Sequence, residues 1–275
     1  MELYDNIGHN YDDTRCADGY ILGRVINLLN AIESGHYLEI GCGTGNYTIG
    51  LLGAGYKNIV SLDPSEVMLE KAREKCKANG IKRKPNDWIH CKAENTPSLE
   101  ASFDGVFCIN ALHHIERTMR LVAFSKIFYV LRNGGRFVIF TNSHAQIDRY
   151  WLNYYFPKAI EKLKSYKSDI NIVESNLQKV GFKILKIEPY EISSDLKDKF
   201  LYCQKHNPSE YLDDNFRSNM SLFRVKATDK EDIQKGLNKL RQDCSSGEVE
   251  NIINKPEYDS SGLGDYLFIV CEKQA

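Results

Sequence analysis

Three closely spaced glycines with carboxylates nearby form the part of this sequence whose residue types could do chemistry. Gly41, Gly43 and Gly45 directly follow a short apolar run, and a helical pattern follows them. Glycine is needed where a strand turns sharply against a ligand, because a Cβ atom would clash or disfavour a positive φ. The helix behind such a turn presents unsatisfied N–H groups and the positive end of its dipole. The pattern therefore predicts a nucleotide-type binding turn.

The spacing of the glycines and the position of Glu39 narrow the choice of ligand. The dinucleotide fingerprint is G-x-G-x-x-G, whose helix N-terminus receives a pyrophosphate. Here the third glycine comes one residue early, and Glu39 beside the turn favours an amino group or a sulfonium over an anion. A second apolar run ends in Asp63, whose carboxylate can accept both hydroxyls of a ribose. An adenosine with a cationic tail fits both carboxylates, and S-adenosylmethionine is such a molecule.

With these residues in place, the sequence resembles the class I S-adenosylmethionine-dependent methyltransferases, specifically the broad group that acts on small molecules. Five family motifs occur in the expected order, at residues 39–45, 63, 93–97, 103–114 and 131–139. The resemblance covers about residues 1–142 well and returns weakly at the C-terminus. It is specific for the cofactor and says almost nothing about the acceptor.

The resemblance also implies which residues contact the cofactor. It places the backbone of residues 41–45 against the methionine and ribose, and it assigns the ribose hydroxyls to Asp63. Met68 would cover the adenine, with an ordinary core methionine as the alternative, and Asn110 would lie near the methionine amino group. The full implied set is Tyr11, Arg15, Glu39, Gly41, Cys42, Gly43, Gly45, Asp63, Pro64, Met68, Glu94, Asn95 and Asn110.

Tyr11 and Arg15 enter this set through the N-terminal run at residues 4–15. That run resembles the Y-D-x-x-x-x-x-Y-D-x-x-R opening of many relatives. There the second tyrosine folds over the cofactor and the arginine lies near its carboxylate. The alternative is a pair of ordinary polar surface residues.

His113 and His114 follow the predicted fourth strand and are the candidate catalytic residues. Histidine titrates near neutrality and can take a proton from a hydroxyl, an amine or an acid. The pair is common in the family even where acceptors differ, so packing is the alternative role, and His144 is a third candidate. A sulfonium methyl is already activated, so placement and exclusion of water can supply much of the acceleration without a base.

The elements that must position these residues alternate between strand and helix. Strands are predicted at residues 37–40, 58–62, 88–91, 105–109, 136–141, 182–188 and 266–271. This alternation predicts an α/β fold with a doubly wound, mostly parallel, seven-stranded Rossmann-like sheet. The resemblance places the last strand antiparallel beside the sixth. We expect one class I methyltransferase domain over residues 1–275.

Two segments interrupt this alternation, at residues 143–171 and 193–264. Helix-like stretches occur at residues 195–206, 209–220 and 229–243, and loops this long are rarely structureless. We expect the two segments to form a helical lid for acceptor binding. The aromatic residues of the first segment could stack on an acceptor, or they could bury the face of an amphipathic helix.

Composition limits the classes of partner. The net charge of −1 and the pI near 6.7 give no overall basic surface that would attract nucleic acid. The eight cysteines are scattered, which favours neither a disulfide framework nor a metal site. The N-terminus lacks a signal-like region and no long apolar run occurs. We therefore expect a cytoplasmic protein with a small-molecule methyl acceptor, without a nucleic-acid, metal or membrane partner.

The predicted function is methyl transfer from S-adenosylmethionine to an O, N, C or S nucleophile of a small molecule. Two alternatives belong to other classes. One is a catalytically lapsed S-adenosylmethionine-binding module that acts as a partner or sensor. The other is an NAD-dependent dehydrogenase, which the G-x-G-x-G spacing and Glu39 disfavour.

Overall fold

A seven-stranded sheet organises the residues that the computed structural model describes, namely 12, 14–97, 101–167, 169–218, 220–224 and 230–274. Its strands are β1 (His36–Ile40), β2 (Asn58–Asp63), β3 (Trp88–His90), β4 (Phe103–Ile109), β5 (Leu131–Thr141), β6 (Phe182–Tyr190) and β7 (Tyr266–Lys273). Their order is β3-β2-β1-β4-β5-β7-β6. Strands β1 to β5 pair in parallel, and β7 lies antiparallel between β5 and β6. The predicted fold class is confirmed.

Both faces of the sheet are covered, which explains why its central strands are apolar throughout. In β4, the adjacent residues Val106 and Phe107 are both fully buried, and they belong to two separate hydrophobic cores. The strand order reverses between β1 and β4. Ligands bind at the carboxyl edge of an open α/β sheet at such a reversal.

The helices pack on both faces and at the carboxyl edge of the sheet. They are α1 (Gly19–Leu29), α2 (Asn46–Gly53), α3 (Glu66–Ala78), α4 (Arg120–Val130), α5 (His144–Asp148), α6 (Leu152–Tyr155), α7 (Pro157–Tyr166), α8 (Ile170–Val180), α9 (Asp214–Ser218), α10 (Ser221–Arg224), α11 (Lys230–Ser246) and α12 (Glu248–Ile253). Ser65 caps the N-terminus of α3, where its side chain accepts a hydrogen bond from Met68 N. No helix within the described ranges is both long and apolar enough to span a bilayer.

The fifth strand begins earlier than the sequence suggests. It starts at Leu131 rather than at Arg136, and its register against β4 shifts between Phe103 and Gly105. Gly134 has a φ of +77° inside the strand. Because glycine tolerates this conformation, the predicted turn is an irregularity within the strand.

The two inserted segments pack against each other through buried aromatic side chains. Tyr150 stacks on Tyr202 with ring centroids 3.9 Å apart, and the Trp151 indole donates to Lys205 O at 3.1 Å. Gly236 on α11 lies so close to α6 that a Cβ atom there would be 2.2 Å from Tyr155 O. These aromatic residues therefore form core, and the role of the segments as a lid stays a prediction.

The prediction of a helix at residues 195–206 is wrong. This stretch consists of turns, and several of its carbonyl groups bond to side chains of other segments. Leu201 O accepts from the Tyr266 hydroxyl at 3.0 Å, in addition to the bond that Trp151 makes. Tertiary hydrogen bonds here replace those of a helix.

Candidate functional site

The turn between β1 and α2 has the backbone that its glycines predict. Gly41, Gly43 and Gly45 all have positive φ, at +71°, +55° and +76°. A Cβ atom on Gly41 would lie 2.5 Å from Ala111 Cβ, and one on Gly45 would lie 2.8 Å from the Trp88 ring. The buried Cys42 completes the turn. Side chains are therefore excluded on conformational and on steric grounds, and the backbone is left to face a ligand.

Asp63, at the end of β2, holds this turn in place. One of its carboxylate oxygens accepts from Gly43 N at 2.8 Å, and the other accepts from Ser65 N at 2.9 Å. A carboxylate offers about four acceptor positions, which is more than these two N–H groups use. Binding of ribose hydroxyls by Asp63 stays a prediction that this geometry permits.

Glu39 lies beneath the turn, 2% exposed. Its carboxyl group accepts a hydrogen bond from the Thr48 hydroxyl, which lies 2.7 Å from the Ser61 hydroxyl. Burial raises the pKa of Glu39 to about 8, so the side chain is mostly protonated at neutral pH. A cation brought close to it would favour the ionised form.

Asn110 supplies a donor that fits the predicted cofactor. It follows β4 with a φ of +51°, a conformation that asparagine tolerates better than most residues. Its Nδ2 is buried and has no hydrogen-bond partner among the described residues. A buried unpartnered donor is costly, and a ligand oxygen beside the glycine turn would relieve that cost. The residues present therefore fit S-adenosylmethionine.

The predicted adenine-binding residues lie on the other side of the turn. Met68 and Glu94 are buried, Pro64 is half-buried and Asn95 is exposed. Glu94 also lies 3.8 Å from the Lys92 ammonium in an ion pair. The structure brings these residues to the ends of β2 and β3, and their contacts with adenine stay predictions.

The N-terminal segment reaches the start of α2. Asp12 accepts from Thr44 Oγ1 at 2.6 Å and from Lys75 Nζ at 2.8 Å. Arg15 forms a two-bond ion pair with Asp198, at 2.5 Å and 3.2 Å, and thereby connects this segment to the second insertion. Tyr11 lies outside the described residues, so its predicted role has no structural counterpart.

The candidate catalytic histidines lie at the end of β4, with ring centroids 3.9 Å apart. His113 Nδ1 lies 3.0 Å from the Lys167 ammonium, while His114 is exposed. Burial and the neighbouring positive charges hold the pKa of His113 well below its usual value, so this ring is neutral and weakly basic. The third candidate, His144, lies within 3.1 Å of carbonyls at the end of α7 and so has a structural role.

Sequence reasoning missed three polar residues close to His113. Arg120, Asn142 and Lys167 line a cavity at the ends of β4 and β5 together with His113. They come from α4, from the residue after β5, and from the end of α7. No motif marks them, because their proximity arises only in the folded chain. Nowhere in the described part of the chain do His, Cys, Asp and Glu side chains cluster as a metal site would require.

Comparison with known proteins identifies the class of this fold and site. Residues 38–135 match the family model described as "Methyltransferase domain". A solved structure from Anabaena variabilis, named as a methyltransferase from an antibiotic biosynthesis pathway, superposes with a TM-score of 0.76. It is 27% identical and covers 93% of this chain and 98% of that one. Residues 38–135 thus match a methyltransferase domain, and this match and the structural likeness together confirm the predicted class I S-adenosylmethionine-dependent family, cofactor class and enzyme class.

Curated relatives give a different indication of the acceptor. The tRNA U34 carboxymethyltransferase of Pseudoalteromonas translucida is 26% identical over 218 residues, which are 74% of this chain and 62% of that protein. The enzyme of the same name from Shewanella halifaxensis is 30% identical over 137 residues, 47% of this chain and 38% of that protein. This chain therefore spans less than two thirds of the length of these relatives.

These relatives contradict the predicted partners. The prediction of a small-molecule acceptor and of no nucleic-acid partner is wrong, because the relatives are named for a tRNA substrate. The net charge of the chain gives the wrong prediction for a physical reason. A net charge of −1 is a sum over the whole chain, and it does not describe the charge at one edge of the sheet.

Proposed function

We propose that this protein is an S-adenosylmethionine-dependent methyltransferase whose acceptor approaches the carboxyl ends of β4 and β5. The observation that carries the proposal is the turn at residues 41–45, where positive φ values and close neighbours leave only backbone to face a ligand. Asn110, whose Nδ2 has no hydrogen-bond partner within the described residues, follows the neighbouring strand β4. The domain match over residues 38–135 supports the same activity.

The chain's own residues would bind and orient the reactants. When bound, S-adenosylmethionine supplies a methyl group on a positively charged sulfur. The glycine turn and Asp63 would hold the nucleoside end, and Asn110 would donate to the amino-acid end. His113 is neutral and so can accept a hydrogen bond or a proton from an acceptor. Its weak basicity makes positioning and exclusion of water the larger contributions.

Titration calorimetry with S-adenosylhomocysteine tests the proposal on the wild type and on Asp63→Asn. The substitution keeps the side-chain shape but removes a charged acceptor, so we expect affinity to fall roughly 10- to 100-fold. Glu70→Gln, an exposed carboxylate change on α3, is the matched control and should leave affinity unchanged. Absence of binding by the wild type, or binding of NAD instead, would refute the proposal.

Transfer to a tRNA is a second candidate, supported by the named activity of the curated relatives. Incubation with unfractionated tRNA and methyl-labelled S-adenosylmethionine tests it. Ribonuclease-sensitive label would support this candidate. No label from a preparation that binds S-adenosylhomocysteine would remove it and leave the first proposal standing.

A further inference from the structure

A small cavity beside the glycine turn concentrates positive charge. Its volume is ≈ 10 Å³, room for about one water molecule or the end of a small ligand group. It is lined by Leu112, His113, Arg120, Thr141, Asn142, Lys167, Ile170 and Val173. Leu112 follows Ala111, whose Cβ abuts Gly41. A group bound in this cavity would therefore lie next to the cofactor turn.

Two cations face this cavity, and the described residues supply no counter-charge to either. Lys167 is 5% exposed and Arg120 is 2% exposed. Lys167 Nζ contacts the neutral His113 ring at 3.0 Å, and Arg120 Nε donates to Ile115 O at 3.0 Å. Among the described residues, no carboxylate forms an ion pair with either side chain. In the part of the chain that the structure describes, the charges of Arg120 and Arg15 act on Lys167, and both are also positive.

Burying cations without an anion costs several kcal/mol, and folded proteins normally pair them. Burial and the positive charges of Arg120 and Arg15 lower the pKa of Lys167 to about 7. Burial and a neighbouring positive charge also lower the pKa of Arg120. An anion in the cavity would reverse both effects. The arrangement favours an anion-binding site over a purely structural role, since folded proteins usually pair a buried structural cation with a carboxylate.

The polar groups of the cavity also indicate the shape of the anion. A guanidinium presents a planar fork that matches the two oxygens of a carboxylate. The small volume suits a planar carboxylate better than a tetrahedral phosphate. Asn142 is 3% exposed, its Nδ2 donates to the Tyr150 hydroxyl, and its Oδ1 has no partner within the described residues. That oxygen can accept from an N–H or O–H group on the same ligand.

We propose that this cavity binds a carboxylate group carried by the methyl acceptor. The assignment rests on the proposed function and adds the chemistry of the substrate to it. Lys167 and Arg120 hold the carboxylate, and Asn142 accepts a hydrogen bond from a neighbouring donor of the acceptor. The acceptor is thereby oriented at the ends of β4 and β5, beside the cofactor turn.

Acetate is the probe, and its binding is followed by thermal shift and calorimetry against sodium chloride at equal ionic strength. We expect acetate to stabilise the wild type and Lys167→Met to weaken acetate binding by roughly tenfold or more. Lys162→Met, on α7 just before Lys167 but outside the cavity, should bind acetate as the wild type does. Lys167→Gln serves as a second variant and should show the same loss.

Three results would overturn the proposal. Acetate could stabilise the wild type no more than chloride does, or Lys167→Met could bind acetate normally. The third result is that saturating S-adenosylhomocysteine abolishes the stabilisation by acetate. That result would assign the cavity to the methionine carboxylate of S-adenosylmethionine. An acetate effect that persists with S-adenosylhomocysteine bound supports the acceptor site.

The same measurements separate this inference from the proposed function. If S-adenosylhomocysteine binds and acetate does not, the carboxylate site fails and the methyltransferase proposal stands. If S-adenosylhomocysteine does not bind at all, the proposed function fails, and the acceptor assignment fails with it.

Discussion

The glycine turn at residues 41–45 and the cavity around Arg120 and Lys167 lie side by side at one edge of the sheet. They differ in whether their charged groups have partners within the described residues. In the turn, Asp63 bonds to two backbone N–H groups, and Glu39 bonds to Thr48. In the cavity, Lys167 and Arg120 have no anion among the described residues. The carboxyl groups at the turn are hydrogen-bonded within the protein, whereas a bound anion would balance the positive charge of the cavity.

Burial also shifts the acid and the base in opposite directions. It raises the pKa of Glu39 to about 8 and lowers the pKa of Lys167 to about 7. Both side chains avoid the charged form, because charge is costly in a poorly hydrated environment. Each region therefore destabilises the fold over its own range of pH.

Gly41→Ala tests the turn and should have the largest effect. The new Cβ would lie 2.5 Å from Ala111 Cβ, on a backbone with a φ of +71° that costs roughly 1–2 kcal/mol for other residues. We expect S-adenosylhomocysteine to bind roughly 100-fold more weakly by calorimetry. Gly53→Ala meets no atom within 4 Å and should retain binding. Equal affinities for Gly41→Ala and the wild type would show that this turn does not hold the cofactor.

Lys167→Met tests the cavity through stability. The unfolded lysine holds its proton up to its ordinary pKa of 10.5, whereas the folded one releases it above about 7. Wild-type stability should therefore rise with pH within this window, by about 1.4 kcal/mol per pH unit. Urea unfolding at pH 7.5 and at pH 9.5, in buffers without carboxylates, should show this rise in wild type and in Lys162→Met. Lys167→Met should lack most of it and be more stable at pH 7.5; a variant with the wild-type pH dependence would contradict the buried charge.

Glu39→Gln should show a smaller effect of the opposite sign. The folded pKa is raised from 4.5 to about 8, so this group's contribution to stability is complete below pH 4.5 and declines as pH rises through the window. The wild type should lose about 1.4 kcal/mol from pH 5 to pH 6 relative to Glu39→Gln, measured by urea unfolding. The exposed Glu70→Gln should follow the wild type. No divergence between the wild type and Glu39→Gln would mean that Glu39 is already ionised.

The sequence predicts the sheet and the turn well because their signals are local. Gly41, Gly45 and Asp63 lie within one strand–turn–helix–strand unit, and each has a conformational or hydrogen-bonding reason to be where it is. The strand pattern is equally local, and the structure has the predicted doubly wound sheet with β7 antiparallel beside β6. Only the ends of the strands differ from the prediction. The fifth strand, for example, begins at Leu131, because Gly134 lets it continue through a bulge.

The acceptor edge could not be predicted, because its contacts join distant parts of the chain. Arg15 and Asp198 are 183 positions apart, and Lys167 meets His113 across 54. Neither separation leaves a periodic signal in the sequence. The sequence wrongly predicts a helix at residues 195–206 for the same reason. The side chains that bond to the turns there, Trp151 and Tyr266, lie in other segments.

The position of β7 between β5 and β6 has a consequence for the time that folding takes in a cell. β6 ends at Tyr190 and β7 begins at Tyr266, so a ribosome needs roughly 4–15 s to make the residues between them. During that interval β5 and β6 have no partner along the edges that β7 later joins. An unpaired apolar edge is a site for aggregation. The folding of this protein therefore depends on how well β5, which carries Val138 and Phe140, is shielded until translation reaches the strand that separates it from β6.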